Sequence, residues 1–207
     1  MNKNEALGIL FSCAELYKQN LANKNVLFIC VDKNNKIHMM ETVFLPTAFL
    51  HLTGVKFEQG RELSAREFFK KCLNKRLSVD EFEMSRDGTT EQKLRVLPML
   101  FRKNLSATMM GDFCEKRLVL VTEKLVGGVN GCLGFVCSSN SRFYVPNTSL
   151  NIDIRNSISN QKRIISIYTK PKAETLYSEC VYKAKNIDFT EITLPEEYQY
   201  LIGLHKI

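Results

Sequence analysis

Val26-Leu27-Phe28-Ile29-Cys30-Val31-Asp32-Lys33-Asn34-Asn35-Lys36-Ile37-His38-Met39-Met40-Glu41-Thr42 has the pattern of two strands joined by a turn. Its first six residues form a continuous apolar run with β-branched members, the pattern of a buried strand. Asp32-Lys33-Asn34-Asn35 supplies turn residues, and Lys36–Thr42 returns as the second arm of a hairpin.

Upstream of the hairpin, Asn4–Ala22 carries Leu7, Leu10, Phe11, Cys13, Ala14, Tyr17 and Leu21 at three- and four-residue spacings, which predicts one amphipathic helix. Downstream, Ser64 and Glu67 form a capping box for a helix over Ala65–Lys75, and Ser78-Val79-Asp80-Glu81 repeats that signature for a short one. Thr90–Arg102 reads as a further helix that Pro98 should kink or shorten. From Ala107 the texture changes to short β-rich runs: Ala107–Gly111, Leu118–Val121, Gly131–Cys137, Phe143–Val145, Arg163–Thr169 and Ser178–Tyr182. Gly127-Gly128 and Ser138-Ser139-Asn140-Ser141 read as turns between them, and Asn151–Arg155 as a helical turn. The fold class is therefore α+β, with N-terminal helices packed on a meandering, mainly antiparallel β-sheet. The expected organisation is an N-terminal helix over 1–24, an α+β domain over 25–185 and a C-terminal tail over 186–207.

Composition narrows the function classes. With 207 residues, 44% hydrophobic and 25% charged, the chain has the make-up of an ordinary globular protein. No apolar run approaches the roughly 18 residues that cross a bilayer, so no membrane partner is expected. Glu5, Glu15 and Lys18 interrupt the N-terminal segment; this excludes a signal-peptide reading and makes a cytoplasmic location the expectation. The seven cysteines are scattered without a C-x-x-C pair, and reduced, mostly buried thiols are expected rather than a zinc site. No metal and no cofactor is called for. The formal charge of +7 favours a polyanionic partner. Residues 155–185 concentrate it, with Arg155, Lys162, Arg163, Lys170, Lys172, Lys183 and Lys185 against Glu174 and Glu179, a balance of seven minus two.

The candidate for chemistry is Phe44-Leu45-Pro46-Thr47-Ala48-Phe49-Leu50-His51-Leu52-Thr53-Gly54-Val55-Lys56-Phe57. Read as a strand, it projects His51 and Thr53 from one face about 7 Å apart, within reach of one substrate group. Histidine can take or give a proton near neutral pH. His38 lies in a hairpin arm and His205 near a C-terminus expected to fray, and neither is assigned a catalytic role.

Phe49-Leu50-His51-Leu52-Thr53-Gly54, Phe68-Phe69-Lys70-Lys71-Cys72-Leu73, Leu77-Ser78-Val79-Asp80 and Asp87-Gly88-Thr89-Thr90 together resemble a known layout. Met110-Gly111-Asp112, Thr122-Glu123-Lys124-Leu125, Gly134-Phe135, Tyr144-Val145-Pro146-Asn147, Arg155 and Tyr168-Thr169-Lys170 continue it. Over residues 25 to 185 the chain is similar to a phage-associated branch of the barnase–EndoU–colicin E5/D–RelE-like nucleases. The resemblance implies N-terminal helices on a four- or five-stranded antiparallel sheet, and a metal-independent ribonuclease of a phage or mobile element.

Metal-free RNA cleavage needs a base to deprotonate the 2′-OH, groups to stabilise charge on the non-bridging oxygens, and an acid for the leaving 5′ oxygen. DNA lacks that nucleophile. His51 is the expected base or acid, with Thr53, Lys170 and Tyr144 as further catalytic candidates. Arg155, Thr169, Tyr168 and Arg163 are the expected substrate contacts, Arg155 through a bidentate phosphate grip. The expected partner is RNA. Two alternatives stay open: an inactive nuclease-fold binding module that acts in counter-defence, in the manner of an anti-CRISPR protein, or binds RNA; and a toxin. Either brings in a protein partner, an antitoxin or a defence-system component.

Overall fold

The computed structural model describes residues 1–114, 120–139, 141–185, 187–189 and 192–205. Helix α1 (Lys3–Asn20) starts at a capping box in which the Asn2 side chain accepts from the Glu5 N–H and the Glu5 carboxylate accepts from the Asn2 N–H. It buries Ala6, Leu10, Cys13, Ala14 and Tyr17, much of the predicted stripe. β1 (Lys24–Val31) and β2 (Ile37–Phe44) then form the expected hairpin, with Val31 opposite Ile37 and Cys30 opposite His38.

The segment after β2 departs from its strand reading. Ala48–Thr53 is a short helix, α2, which ends at Gly54 in the left-handed region (φ 66°). The reason is core geometry. Phe49, Leu52 and Thr53 stand three and four residues apart and are buried together, whereas His51 turns outward and is exposed. His51 and Thr53 therefore share no face, and the Thr53 hydroxyl donates to the Leu50 carbonyl at 2.7 Å. α3 (Ala65–Leu73) carries the predicted Ser64–Glu67 box, and Val79–Glu81 forms the predicted short turn, a 3-10 helix. α4 (Thr89–Leu100) ends two residues after Pro98.

The second half builds β3 (Met109–Phe113), β4 (Lys124–Gly128), β5 (Gly131–Cys137), β6 (Tyr144–Leu150), β7 (Ile158–Pro171) and β8 (Glu179–Lys183). The strand expected at Leu118–Val121 begins outside the described residues, as does Asn140 of the expected Ser138–Ser141 turn. Gly127-Gly128 is the end of β4 rather than a turn; the hairpin turns at Val129-Asn130, with Gly128 opposite Gly131. A Cβ on Gly127 would stand 2.4 Å from the Gly131 carbonyl oxygen, so close backbone approach is what excludes a side chain there.

Eight strands, not four or five, make one sheet in the order β1-β2-β6-β5-β4-β3-β7-β8. A further β1–β7 pairing closes it into a barrel. The fourteen residues of β7 make this possible: β1 lines one edge, while β3 and then β8 share the other. All pairs are antiparallel except β2–β6, which is parallel and meets at Thr42 and Tyr144. Inward residues Val26, Phe28, Met40, Phe44, Met110, Val126, Leu133, Phe135 and Ile164 merge with residues of all four α-helices into one core. The helices close one end of the barrel through Tyr17, Phe49, Phe68, Phe69 and Phe101, whose rings meet at centroid distances of 4.9 to 6.1 Å. On the outer face, Leu27, Ile29, Ile165 and Tyr168 are covered by Tyr177 of the β7–β8 connection and by Phe189, Leu194, Tyr198 and Leu201 of the C-terminal segment. No described helix is long and apolar enough to cross a membrane.

Candidate functional site at the barrel mouth

The end of the barrel opposite the helices is where β1, β3 and β5 finish and β2, β4, β6 and β7 begin. Strand register decides which side chains point into it, since directly opposed residues share a face. Cys30 faces the core, so His38 opposite it does too. Ile164 and Met110 face the core; Lys162 lies opposite Met110 and continues that face outward. Lys124 stands opposite inward Phe135, and Tyr144 opposite Thr42. The result is a polar rim over an apolar barrel.

Its parts are tied to one another. The Lys124 ammonium pairs with Asp112, and the Asn160 amide donates to the other Asp112 oxygen at 2.7 Å. The Asp112 carboxyl is raised by partial burial but held below its ordinary value by Lys124, Asn160 and Lys162 together. Partial burial pushes the Tyr144 phenol up, with Lys124 opposing, so the hydroxyl keeps its proton as a donor. Asn160 adopts a left-handed backbone (φ 47°) beside the register shift between Met110 and Asp112, a local strain of the kind that clusters at functional sites.

Beside this network, Asp32, His38, Asn160, Lys162 and Arg163 line a cavity of about 940 Å³. The His38 Nε2 lies 2.8 Å from Asp32 Oδ2. An ionised carboxylate only accepts, so Nε2 carries the proton and Nδ1 is left for a substrate. The His38 bond and the Asn34 and Lys36 N–H groups lower the Asp32 pKa to about 2, against partial desolvation. Asp32 stabilises the fold fully above its unfolded value near 3.9, and that contribution is lost as pH falls from about 4 towards 2. The Tm difference between the wild type and Asp32→Asn should therefore narrow across that window; an unchanged difference from pH 5 to pH 2 would remove the pairing.

The residues singled out from the sequence scatter over the molecule. Tyr144 points inward beside Lys124 and Asp112 without lining the His38 cavity, and Arg163 reaches the rim, where it donates to the Lys185 carbonyl at 3.3 Å. His51 lies on the helical side; its carbonyl accepts from Lys93 Nζ at 3.3 Å, which also donates to Thr148 at 3.0 Å. Thr148 is four residues along β6 from Tyr144, roughly 13 Å. Thr53 is buried and hydrogen-bonded within α2. Lys170 is 8% exposed at the far end of β7, donating to the Thr175 carbonyl at 2.6 Å over the Tyr177 ring. Thr169 bonds Glu179, and Tyr168 is buried beneath the C-terminal segment. Arg155 is exposed on the 3-10 turn after β6 and grips Asp153 with its fork. His38, set aside in the sequence, stands at the mouth with Asp32, read there only as a turn residue, and Lys162, read there only as part of a basic stretch. The signal for the first two lay in the hairpin: a turn of Asp32–Lys36 brings positions 32 and 38 to the same end.

The model of the phage-Barnase-EndoU-ColicinE5/D-RelE like nuclease 4 family matches residues 9–186. No curated protein and no solved structure matches the chain.

Proposed function

The chain belongs to that nuclease family, and on that premise we propose that it is an endoribonuclease acting at the barrel mouth. The observation that carries this reading is the His38–Asp32 pair beside Lys162 and Arg163 around one open cavity. In the proposed reaction His38 Nδ1 takes the proton of a ribose 2′-OH, whose oxygen attacks the adjacent phosphorus. The P–O5′ bond breaks and leaves a 2′,3′-cyclic phosphate. Asp32 holds the imidazole and stabilises the imidazolium that forms. Lys162 and Arg163 offset charge on the phosphorane oxygens, and the Lys162 ammonium can supply the proton for the leaving oxygen.

The test uses end-labelled single-stranded RNA in excess EDTA, with a matched strand carrying one 2′-deoxy nucleotide at the cut position. Cleavage of the first to a cyclic phosphate end, and none at the deoxy position, is the expected result. A cut that ignores the 2′-deoxy substitution, or one that EDTA abolishes, would overturn the mechanism. Binding without any cut would instead favour the inactive binding module. His51 supports a second placement of the chemistry, because its imidazole is exposed at the end of α2 with the Lys93 ammonium at its carbonyl. Substitution of each histidine in turn separates the two.

A further inference from the structure

A second cationic concavity lies at the other end of the β1–β7 pair. It encloses about 960 Å³ between α1, α3, the chain after β2 and the chain after β7. Lys18 comes from α1, Arg66 and Lys70 from α3, and Lys172 follows β7. All four are exposed, and none forms a salt bridge or a side-chain hydrogen bond among the described residues. Many surface cations hold a carboxylate, among them Lys3, Arg61, Lys71, Lys103, Arg142 and Arg155; of those that do not, these four are gathered around one concavity. The groove's one acidic residue, Glu15, leans to Lys75 at 3.7 Å. Four cations outside any ion pair, on three separate segments, suit a ligand whose negative charges are spread along its length. A single phosphate would instead call for convergent, buried donors.

We propose that this groove is a distal binding site for the phosphate backbone of the RNA substrate; the inference rests on the reading of the mouth as the cleavage site. β1 runs from Lys24, beside the groove, to Val31 at the mouth, a span of roughly 23 Å. One RNA strand of about seven nucleotides or more can touch both places at roughly 3.4 Å per phosphate. A trinucleotide at the mouth cannot. The groove thus selects long or folded RNA over short fragments, through charge rather than base identity.

The experiment is a salt titration of RNA affinity, read by fluorescence anisotropy on a 20-nucleotide strand. Each backbone contact adds about 0.7 to the slope of log K against log salt for a single strand. Replacing Lys18, Arg66, Lys70 and Lys172 together by Gln should flatten that slope by about 3, and Lys172→Gln alone by about 0.7. A control quartet (Lys56, Arg61, Arg86 and Arg95 to Gln) removes the same charge elsewhere and should leave the slope near that of the wild type. Equal flattening by both quartets, or by neither, overturns the groove as a site. The two proposals fail separately. RNA held through the groove but never cut defeats the nuclease reading alone. RNA cut by a protein whose slope ignores the groove quartet defeats the groove alone.

Discussion

His38→Ala is expected to lower RNA cleavage by about 10²- to 10⁴-fold, the usual contribution of a positioned acid or base. The loss should fall on kcat more than on KM, because Lys162 and Arg163 remain to hold phosphate at the cavity. Asp32→Asn tests the same unit from behind. An amide can accept or donate, so it no longer fixes which imidazole nitrogen carries the proton. Single-turnover rates for His38→Ala, Asp32→Asn and His51→Ala on one RNA would decide the matter. Full activity in His38→Ala together with loss in His51→Ala would move the chemistry from the barrel mouth to the end of α2.

The largest effect on stability is expected from Phe49→Ala. Phe49 is fully buried where the helices close the barrel, and its ring lies 5.0 to 6.1 Å from those of Tyr17, Phe68, Phe69 and Phe101. Removal of such a ring costs about 3–5 kcal/mol, since transfer free energy is lost and a cavity remains. For a chain of this size the Tm should fall by roughly 6 to 20 °C. Leu50→Ala, next in sequence but only partly buried, should cost clearly less. Denaturant melts of the two variants make the comparison, and a Phe49→Ala protein within 1 kcal/mol of wild type would show that this ring is not a keystone of the helical plug.

The contrast between Phe49 and His51 explains how far the sequence could be read. Phe44–Phe57 invited a strand because its polar and apolar residues alternate around His51. Helical packing won because Phe49 and Leu52 must enter the same aromatic cluster, which a period of two does not allow. Gly127-Gly128 misled for a related reason. Glycine marks turns, but it also marks places where two backbones meet closely, and only the facing strand reveals which applies. Among the residues picked for chemistry, Tyr144 and Arg163 reach the mouth. Tyr168 lies beneath the C-terminal segment, and Thr169 and Lys170 follow it towards the end of β7 away from the mouth.

Local structure is legible in the order of the residues. Capping boxes at Ser64 and Ser78, the apolar stripe of α1, the hairpin at Asp32–Lys36 and the β texture beyond Ala107 are all set by near neighbours in the chain. A shared motif layout likewise needs only residue order, and the family match rests on it. Closure of the sheet is not legible there, because it depends on β7 being long enough to carry β1 on one edge and β3 and β8 on the other. Closure in turn shaped the candidate site. It gathers His38 and Asp32 from the first hairpin with Lys162 from a strand more than a hundred residues away, and spacing along the chain holds no trace of a meeting that strand register alone creates.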